Sequence, residues 1–342
     1  MNEQYIKNTI CIIEKQLYPS YGKLNRFQLY KRHRYVYSEV LKIRLYFSKF
    51  TQDVVIKRLL PEKRSSSNLA LTVELEYCLL RDLYKEFSSL TKINVIKPLI
   101  FIPEDHILVT EDFPGDKLDA LIVDTVRWLP SPKTLRSIGY YCFLSGRWLR
   151  QFQEFTIDEA PIDLTKEYFI NSIDNKFESA RKYGLEKHLC GEIYAFIDRK
   201  FADIAQQKLK SVGYHSDFSP WNILARNGEI RVLDFDRFSH RCKYDDLTFF
   251  LCCLEVNKGI IGMSSRSISY LKENFEAGYD MIDCNNDILD LYLLKNTLKC
   301  ISMVDIEHYS NTKYVHILYE RFRKRRQIKV LLSFLKCILS SS

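Results

Sequence analysis

A chain of 342 residues with 46% hydrophobic and 27% charged content can bury a large core, which argues against a disordered chain. Its ten cysteines include no Cys-x-x-Cys pair and no histidine partner at zinc spacing, so they read as buried apolar residues of a reducing compartment, not as disulfides or a zinc site. The formal net charge of +8 is uneven: residues 23–64 hold twelve bases and three acids, residues 321–342 hold seven bases and no acid, which leaves −8 on residues 65–320.

Residues 24–60 are rich in Tyr, Phe, Val, Ile and Leu, with partial alternation through Phe27–Tyr37 and Val40–Phe47 and an apolar run from Val54. This predicts three antiparallel strands. Leu69–Phe87 has helical period, with Ser65–Asn68 as cap candidates. Two further apolar segments, Asn94–Ile102 and His106–Thr110, complete an expected five-stranded sheet. Beyond Phe113-Pro-Gly115 the pattern is helical, at Thr134–Phe155, Lys166–Tyr183 and Lys187–Val212. Then come two apolar, β-prone segments around Asn227-Gly228, which predict a hairpin.

The chemistry gathers around that hairpin, in Gly213-Tyr-His-Ser-Asp-Phe-Ser-Pro-Trp-Asn-Ile-Leu224 and Arg231-Val-Leu-Asp-Phe-Asp236. Phosphoryl transfer needs a base to orient the incoming hydroxyl and metal ions to neutralise the transferring group. Asp217 fits the base. Asn222, five residues on, offers a neutral oxygen that binds magnesium without repelling phosphates, and Asp234 on the next strand offers a charged one. Folding back of the hairpin is expected to bring Asn222 and Asp234 to the same end of the strands.

These two segments resemble the catalytic loop and metal strand of the aminoglycoside phosphotransferase and choline kinase-like branch of the protein kinase-like superfamily, whose typical string is His-Gly-Asp-x-His-Pro-x-Asn followed by an apolar strand ending in Asp. Here Ser216 replaces the Gly and Ser219 the second His; protein kinases carry Arg and Lys at these two places. The resemblance implies an α+β, two-lobe fold: an N-terminal antiparallel five-stranded sheet with one helix over residues 1–110, which binds nucleotide, and a mainly helical lobe over 111–342 for catalysis and acceptor binding, ending in a basic tail at 321–342. It also implies ATP and Mg2+ as cofactors.

Within the first lobe, Lys57 is the candidate for the phosphate-holding lysine, and Glu76, on the apolar face of the helix with Leu69, Val73, Leu79, Leu80 and Leu83, for the carboxylate that aims it. Glu74 takes that place if the helix is rotated, and Lys42 and Lys49 are neighbouring lysines. No glycine occurs between Gly22 and Gly115, so a Gly-rich phosphate loop is missing. Tyr30–Tyr35 reads as a solvated turn, with cationic side chains over the phosphates as the alternative. Leu108–Gly115 resembles the hinge that reads adenine, with backbone groups near Asp112 and Phe113. His215, Asp236 and Asp246 are supporting residues; Asp246 heads a segment similar to the family's Asp-Leu-Ala helix start and is also a plain N-cap by its own chemistry.

The function expected is transfer of the ATP γ-phosphoryl group to a hydroxyl of a small molecule, with a saccharide or lipid-linked glycan favoured. The alternatives are a small-amine or aminoglycoside acceptor, and a nucleotide-binding scaffold. The acidic body suits metal ions or a cationic substrate, and the basic N-terminal segment suits a nucleotide. No nucleic-acid partner is expected. The N-terminus lacks a signal-peptide layout and no run of eighteen apolar residues occurs, so a cytoplasmic location is expected. In 321–339 a basic start precedes apolar positions at helical spacing, which suits either an anionic membrane surface or packing on the body.

Overall fold

A computed structural model describes residues 3–17, 22–60, 69–182, 185–204, 208–304 and 314–340. The chain divides into two compact units: Met1–Gly115 with Arg231–Arg237, and Asp116–Ile230 with Phe238–Ser342.

The first unit runs α1 (Glu3–Leu17), β1 (Leu24–Arg34), β2 (Ser38–Phe47), β3 (Thr51–Leu59), α2 (Leu69–Glu86), β4 (Ile93–Val95), β5 (Pro98–Ile102) and β6 (Ile107–Glu111). Five of these strands form the expected antiparallel sheet, in the order β1-β2-β3-β6-β5. On β2, Leu41, Ile43, Leu45 and Phe47 are buried at alternate positions, and Val54 and Ile56 continue that face on β3. Ile6, Ile10 and Ile13 of α1 join the same core. This helix is not anticipated above, although its apolar residues recur at helical spacing. Because Val54 and Ile56 point into that core, Lys57 points to the opposite face of the sheet. The segment Tyr30–Tyr35 is no turn: β1 runs on to Arg34, and the reversal falls at Tyr35, whose N–H donates to the Ser38 carbonyl at 2.8 Å. Strand β4 lies outside this sheet, and beside it the N–H of Ile96 donates to the Val232 carbonyl at 3.2 Å. The cap candidates Ser65–Asn68 lie outside the described residues.

The second unit carries β7 (Asp116–Lys117), α3 (Leu118–Thr125), α4 (Pro132–Phe155), β8 (Asp158–Asp163), α5 (Lys166–Lys182), α6 (Lys187–Asp203), β9 (Lys208–Tyr214), β10 (Ile223–Arg226), β11 (Glu229–Val232, its last two residues in the first unit), β12 (Ser239–Cys242), α7 (Tyr244–Val256), α8 (Ser265–Tyr279), α9 (Asn286–Met303) and α10 (Tyr314–Ser340). Fold class and the five-stranded sheet are as expected: α+β, with a mainly helical second unit. Two boundaries differ. The segment expected over Asn94–Ile102 divides into β4 and β5, of which only β5 joins the five-stranded sheet. The helix expected over Lys187–Val212 stops at Asp203, because Lys208–Tyr214 is the middle strand of a three-stranded sheet, paired with Ser239–Cys242 on one side and Asp158–Asp163 on the other. Long-range pairing overrides the local helical pattern there. Asn227 and Gly228 both have positive φ, 51° and 76°, which is the two-residue turn between β10 and β11 that Asn-Gly predicts.

The tail is helical, and its apolar side is covered: Ile328, Leu331, Leu335 and Ile338 are buried, with α10 packed on α7 and α9. Of the two expectations for this segment, the structure therefore supports packing on the body, since the apolar face a bilayer would need is occupied. Among the described residues no helix is long and apolar enough to cross a membrane.

Candidate active site

In the first unit, three residues far apart in sequence meet at one ammonium. Lys57 Nζ donates to Glu76 Oε1 and Oε2 at 3.1 and 3.2 Å and to Asp234 Oδ1. Glu76 lies on the buried face of α2, 2% exposed, in line with Leu69, Val73, Leu80 and Leu83, while Glu74 is exposed. The Phe235 N–H also donates to Glu76 Oε1, at 3.1 Å, which ties the helix to the backbone next to Asp234. Asp234 itself has φ of +70°, a left-handed conformation that costs a non-glycine residue about 1 kcal/mol or more. Lys42 is engaged elsewhere, at 2.6 Å from Asp112 Oδ1.

The electrostatics are unbalanced. Burial alone would push the Lys57 ammonium down, but the charges of Asp234, Glu76 and Asp236 outweigh it and hold it above its ordinary value. Burial pushes the Glu76 carboxyl up, to about 7, against the pull of Lys57, because the one lysine is shared and Asp234 and Asp236 add repulsion. Asp236 thus acts on the cluster through its charge.

At the end of β6 the backbone is partly committed. The Asp112 N–H donates to the Asp53 carbonyl at 3.1 Å, and the Phe113 carbonyl accepts from the Gly115 N–H at 2.8 Å. The Asp112 carbonyl and the Phe113 N–H remain without a partner among the described residues. The Asp112 side chain accepts from Lys42 and from the Tyr30 hydroxyl.

The second unit holds a loop fixed by its own hydrogen bonds. It leaves β9 at Gly213, whose N–H donates to the Thr156 carbonyl at 3.1 Å; a Cβ there would come within 2.3 Å of Thr156 Oγ1, so only glycine fits. His215 is fully buried, and its N–H donates to Asp246 Oδ2 at 2.6 Å. Its Nδ1 accepts from the Asp217 N–H at 3.4 Å. Ser216, where the resembling family has glycine, takes φ of +74°. Asp217 Oδ2 accepts from Trp221 Nε1 at 3.1 Å and from Asn222 Nδ2 at 2.9 Å, so the carboxylate is aimed by two donors and no cation neutralises it among the described residues. Asn222 also donates to the Asp217 carbonyl at 3.0 Å, which commits its amide nitrogen and turns its Oδ1 into the atom a metal would use.

Asp246 sits in the first turn of α7 and braces the loop through the His215 N–H, while its Oδ1 is buried without a partner among the described residues. Burial pushes its carboxyl up, to about 7, against that hydrogen bond. Two contacts escape sequence reasoning: the Trp221 grip on Asp217, signalled only by the Pro-Trp before Asn222, and Lys299, whose Nζ donates to the Ser216 carbonyl at 3.1 Å from 83 residues away, with no local signal at all. Among the described residues no group of three or more His, Cys, Asp or Glu forms a metal cage.

Solved structures share this fold. Spectinomycin phosphotransferase in complex with ADP and spectinomycin is 16% identical with a TM-score of 0.51, the match covering 96% of this chain and 97% of that one. Amicoumacin kinase in complex with AMP-PNP and Ca2+ is 14% identical, TM-score 0.52, covering 96% and 94%. Plasmodium vivax ethanolamine kinase is 12% identical, TM-score 0.54, covering 98% and 89%. The chain therefore has the protein kinase-like fold in the form found in small-molecule phosphotransferases, as the sequence motif implies. It matches no protein-family model and no curated protein.

Proposed function

We propose that the protein is an ATP-dependent phosphotransferase acting on a hydroxyl of a small molecule, with a saccharide or related polyol, free or lipid-linked, as the favoured acceptor. The observation that carries this reading is Asp217: a carboxylate with no cationic partner among the described residues, aimed by Trp221 and Asn222 on a loop braced by Asp246. A nucleotide-binding scaffold has no use for such a group.

In the reaction, the acceptor oxygen bonds to the γ-phosphorus as its proton passes to Asp217. The bond from that phosphorus to the β,γ-bridging oxygen breaks, and ADP leaves with the electron pair. Lys57, aimed by Glu76, holds the nucleotide phosphates. The Asp112 carbonyl and Phe113 N–H offer the acceptor and donor that an adenine edge pairs with. Asp234 in the first unit and Asn222 in the second are each proposed as an oxygen ligand for a divalent cation, Mg2+ being the one expected, which supplies charge neutralisation when bound. The surplus of carboxylates around Lys57, which pushes Glu76 up, suits a cation there. The ADP, AMP-PNP and Ca2+ of the similar structures support a nucleotide and a divalent metal.

A cytoplasmic location belongs to the same proposal. Contact with a membrane through 321–339 would have to rest on exposed basic residues and Phe322, because the apolar side of α10 is packed. The test is a screen of acceptor classes, neutral polyols, sugar phosphates, sugar acids and amino alcohols, for ATP consumption that needs both acceptor and divalent metal. Acceptor-dependent ADP with one phosphorylated acceptor per turnover is expected. Nucleotide binding without turnover on any class would turn the reading to the scaffold.

A further inference from the structure

The body of the chain is acidic overall, yet the surroundings of the Asp217 loop are not. Arg241 on β12 and Lys299 on α9 meet at Tyr214 and Ser216, and Lys176 on α5 and Lys295 on α9 are near enough for the four charges to act on one another. Lys299 Nζ donates to the Ser216 carbonyl at 3.1 Å, and the Tyr214 hydroxyl donates to the same oxygen at 3.4 Å. The Arg241 guanidinium stands 5.2 Å from the Tyr214 ring centroid. Lys295 is buried and paired with Asp245 Oδ1.

The other three cations have no carboxylate partner among the described residues. Lys176 donates only to the Ser172 carbonyl of its own helix, Lys299 to the Ser216 carbonyl with its ammonium over Phe249, and Arg241 meets only the Tyr214 ring. Against these four cations stand Asp245, already paired with Lys295, Asp246, which accepts from the His215 N–H, and Asp217 along the loop, so the cations still outnumber the carboxylates by one. Crowding has an electrostatic signature: burial first, then the charges of Lys295, Lys299 and Arg241, push Lys176 down to about 8. Lys295 and Lys299 are also four apart on one helix, a like-charge spacing that is unfavourable by itself.

We propose that Lys176, Arg241 and Lys299 form an oxyanion subsite beside the Asp217 loop, which holds a phosphate monoester or carboxylate carried by the acceptor. This rests on the phosphotransferase reading and sharpens it: the acceptor is a sugar phosphate, a sugar acid or a similar anionic polyol, and not an amine. A flexible lysine and a planar guanidinium suit both oxyanions.

Two measurements on the full-length chain test it. In the first, melting temperature is followed with inorganic phosphate, and with sodium chloride at matched ionic strength, for wild type, Lys176→Met, Arg241→Met and Lys57→Met. Phosphate should raise the melting temperature of wild type and of Lys57→Met, and the rise should vanish in the other two variants, which should keep their response to ATP with magnesium. Loss of the rise in Lys57→Met alone, its persistence in Lys176→Met and Arg241→Met, or no rise in wild type would overturn the subsite. In the second, turnover is compared on sugar phosphates, sugar acids and their neutral parents. An anionic acceptor should be preferred about tenfold or more in kcat/KM, the better of the two anions identifying the group, and Arg241→Met should raise its KM about tenfold while the KM for ATP stays unchanged. Equal use of neutral parents, or amino alcohols as the best acceptors, would overturn it. No turnover on any acceptor alongside a phosphate response confined to the cluster would reject the phosphotransferase reading and leave the anion site standing.

Discussion

The Lys57 cluster and the Asp217 loop hold their carboxylates in opposite ways. In the first unit, Lys57 is shared between Glu76 and Asp234 with Asp236 close by, so the cluster carries more negative charge than its one cation can balance, and Glu76 is pushed up to about 7. In the second, Asp217 is held by neutral donors, Trp221 and Asn222, on a backbone fastened by Asp246. A cluster held by charge responds to added cations and phosphates. A carboxylate aimed by neutral donors keeps its direction whether or not such ions are present. The first arrangement suits binding of a metal nucleotide; the second suits a base that must already be aimed when substrate arrives.

That contrast predicts where damage falls. Asp217→Asn should cost the most in turnover, about a hundredfold to ten-thousandfold, while leaving ATP affinity nearly unchanged, since Asn keeps an oxygen for Trp221 but cannot take the proton. Steady-state rates alongside nucleotide titration read both quantities, and near-normal turnover would remove the distinction between the two regions.

Next in size, Lys57→Met should weaken ATP binding and destabilise the fold by about 3 kcal/mol, because it strands Glu76, which is 2% exposed. Denaturant unfolding of Lys57→Met and of Lys57→Met with Glu76→Gln checks it: the double variant should regain stability but not ATP binding. Equal stability of the two would mean that charge does not hold this cluster.

The pH response is common to both regions, since burial raises one carboxyl in each to about 7, Glu76 in the first and Asp246 in the second. Asp246 has its folded value raised from the ordinary 3.8 to about 7, so the folded state binds the extra proton across that window. Its contribution to stability is complete below pH 3.8 and is lost as pH rises toward 7. Asp246→Asn should therefore flatten the fall of stability across that range, and a wild-type-minus-variant curve with no slope there would contradict the buried, strained carboxyl. The smallest effect expected is at Ser216: Ser216→Gly relieves the φ of +74° at the cost of glycine's extra freedom in the unfolded chain. The net gain should be up to about 1 kcal/mol, measured by denaturant unfolding. A loss of stability would mean that the serine hydroxyl matters more than the backbone.

How much was legible follows the same division. The Asp217–Asn222 string could be read directly, since its groups lie within six residues and their spacing is set by one loop. Asp234 was legible as the acidic end of the hairpin's second strand, whereas Lys57 and Glu76 share no local pattern with it; they were reachable only through resemblance and helical phase, and the buried face of α2 decides for Glu76 over Glu74. Residues 208–212 read as helix because the partners of that strand lie far off in sequence, at Ser239–Cys242 and Asp158–Asp163. The cations around Ser216 were invisible for the same reason: they come from three separate elements, and net charge over residues 65–320 pointed the other way.

The most direct measurement is the rise in melting temperature given by ATP with magnesium, in wild type, Asp234→Ala and Asp217→Asn. The account predicts that Asp234→Ala loses the rise, since the metal ligand is gone, and that Asp217→Asn keeps it, since the base does not touch the nucleotide. A rise retained in Asp234→Ala, or lost in Asp217→Asn, would contradict it.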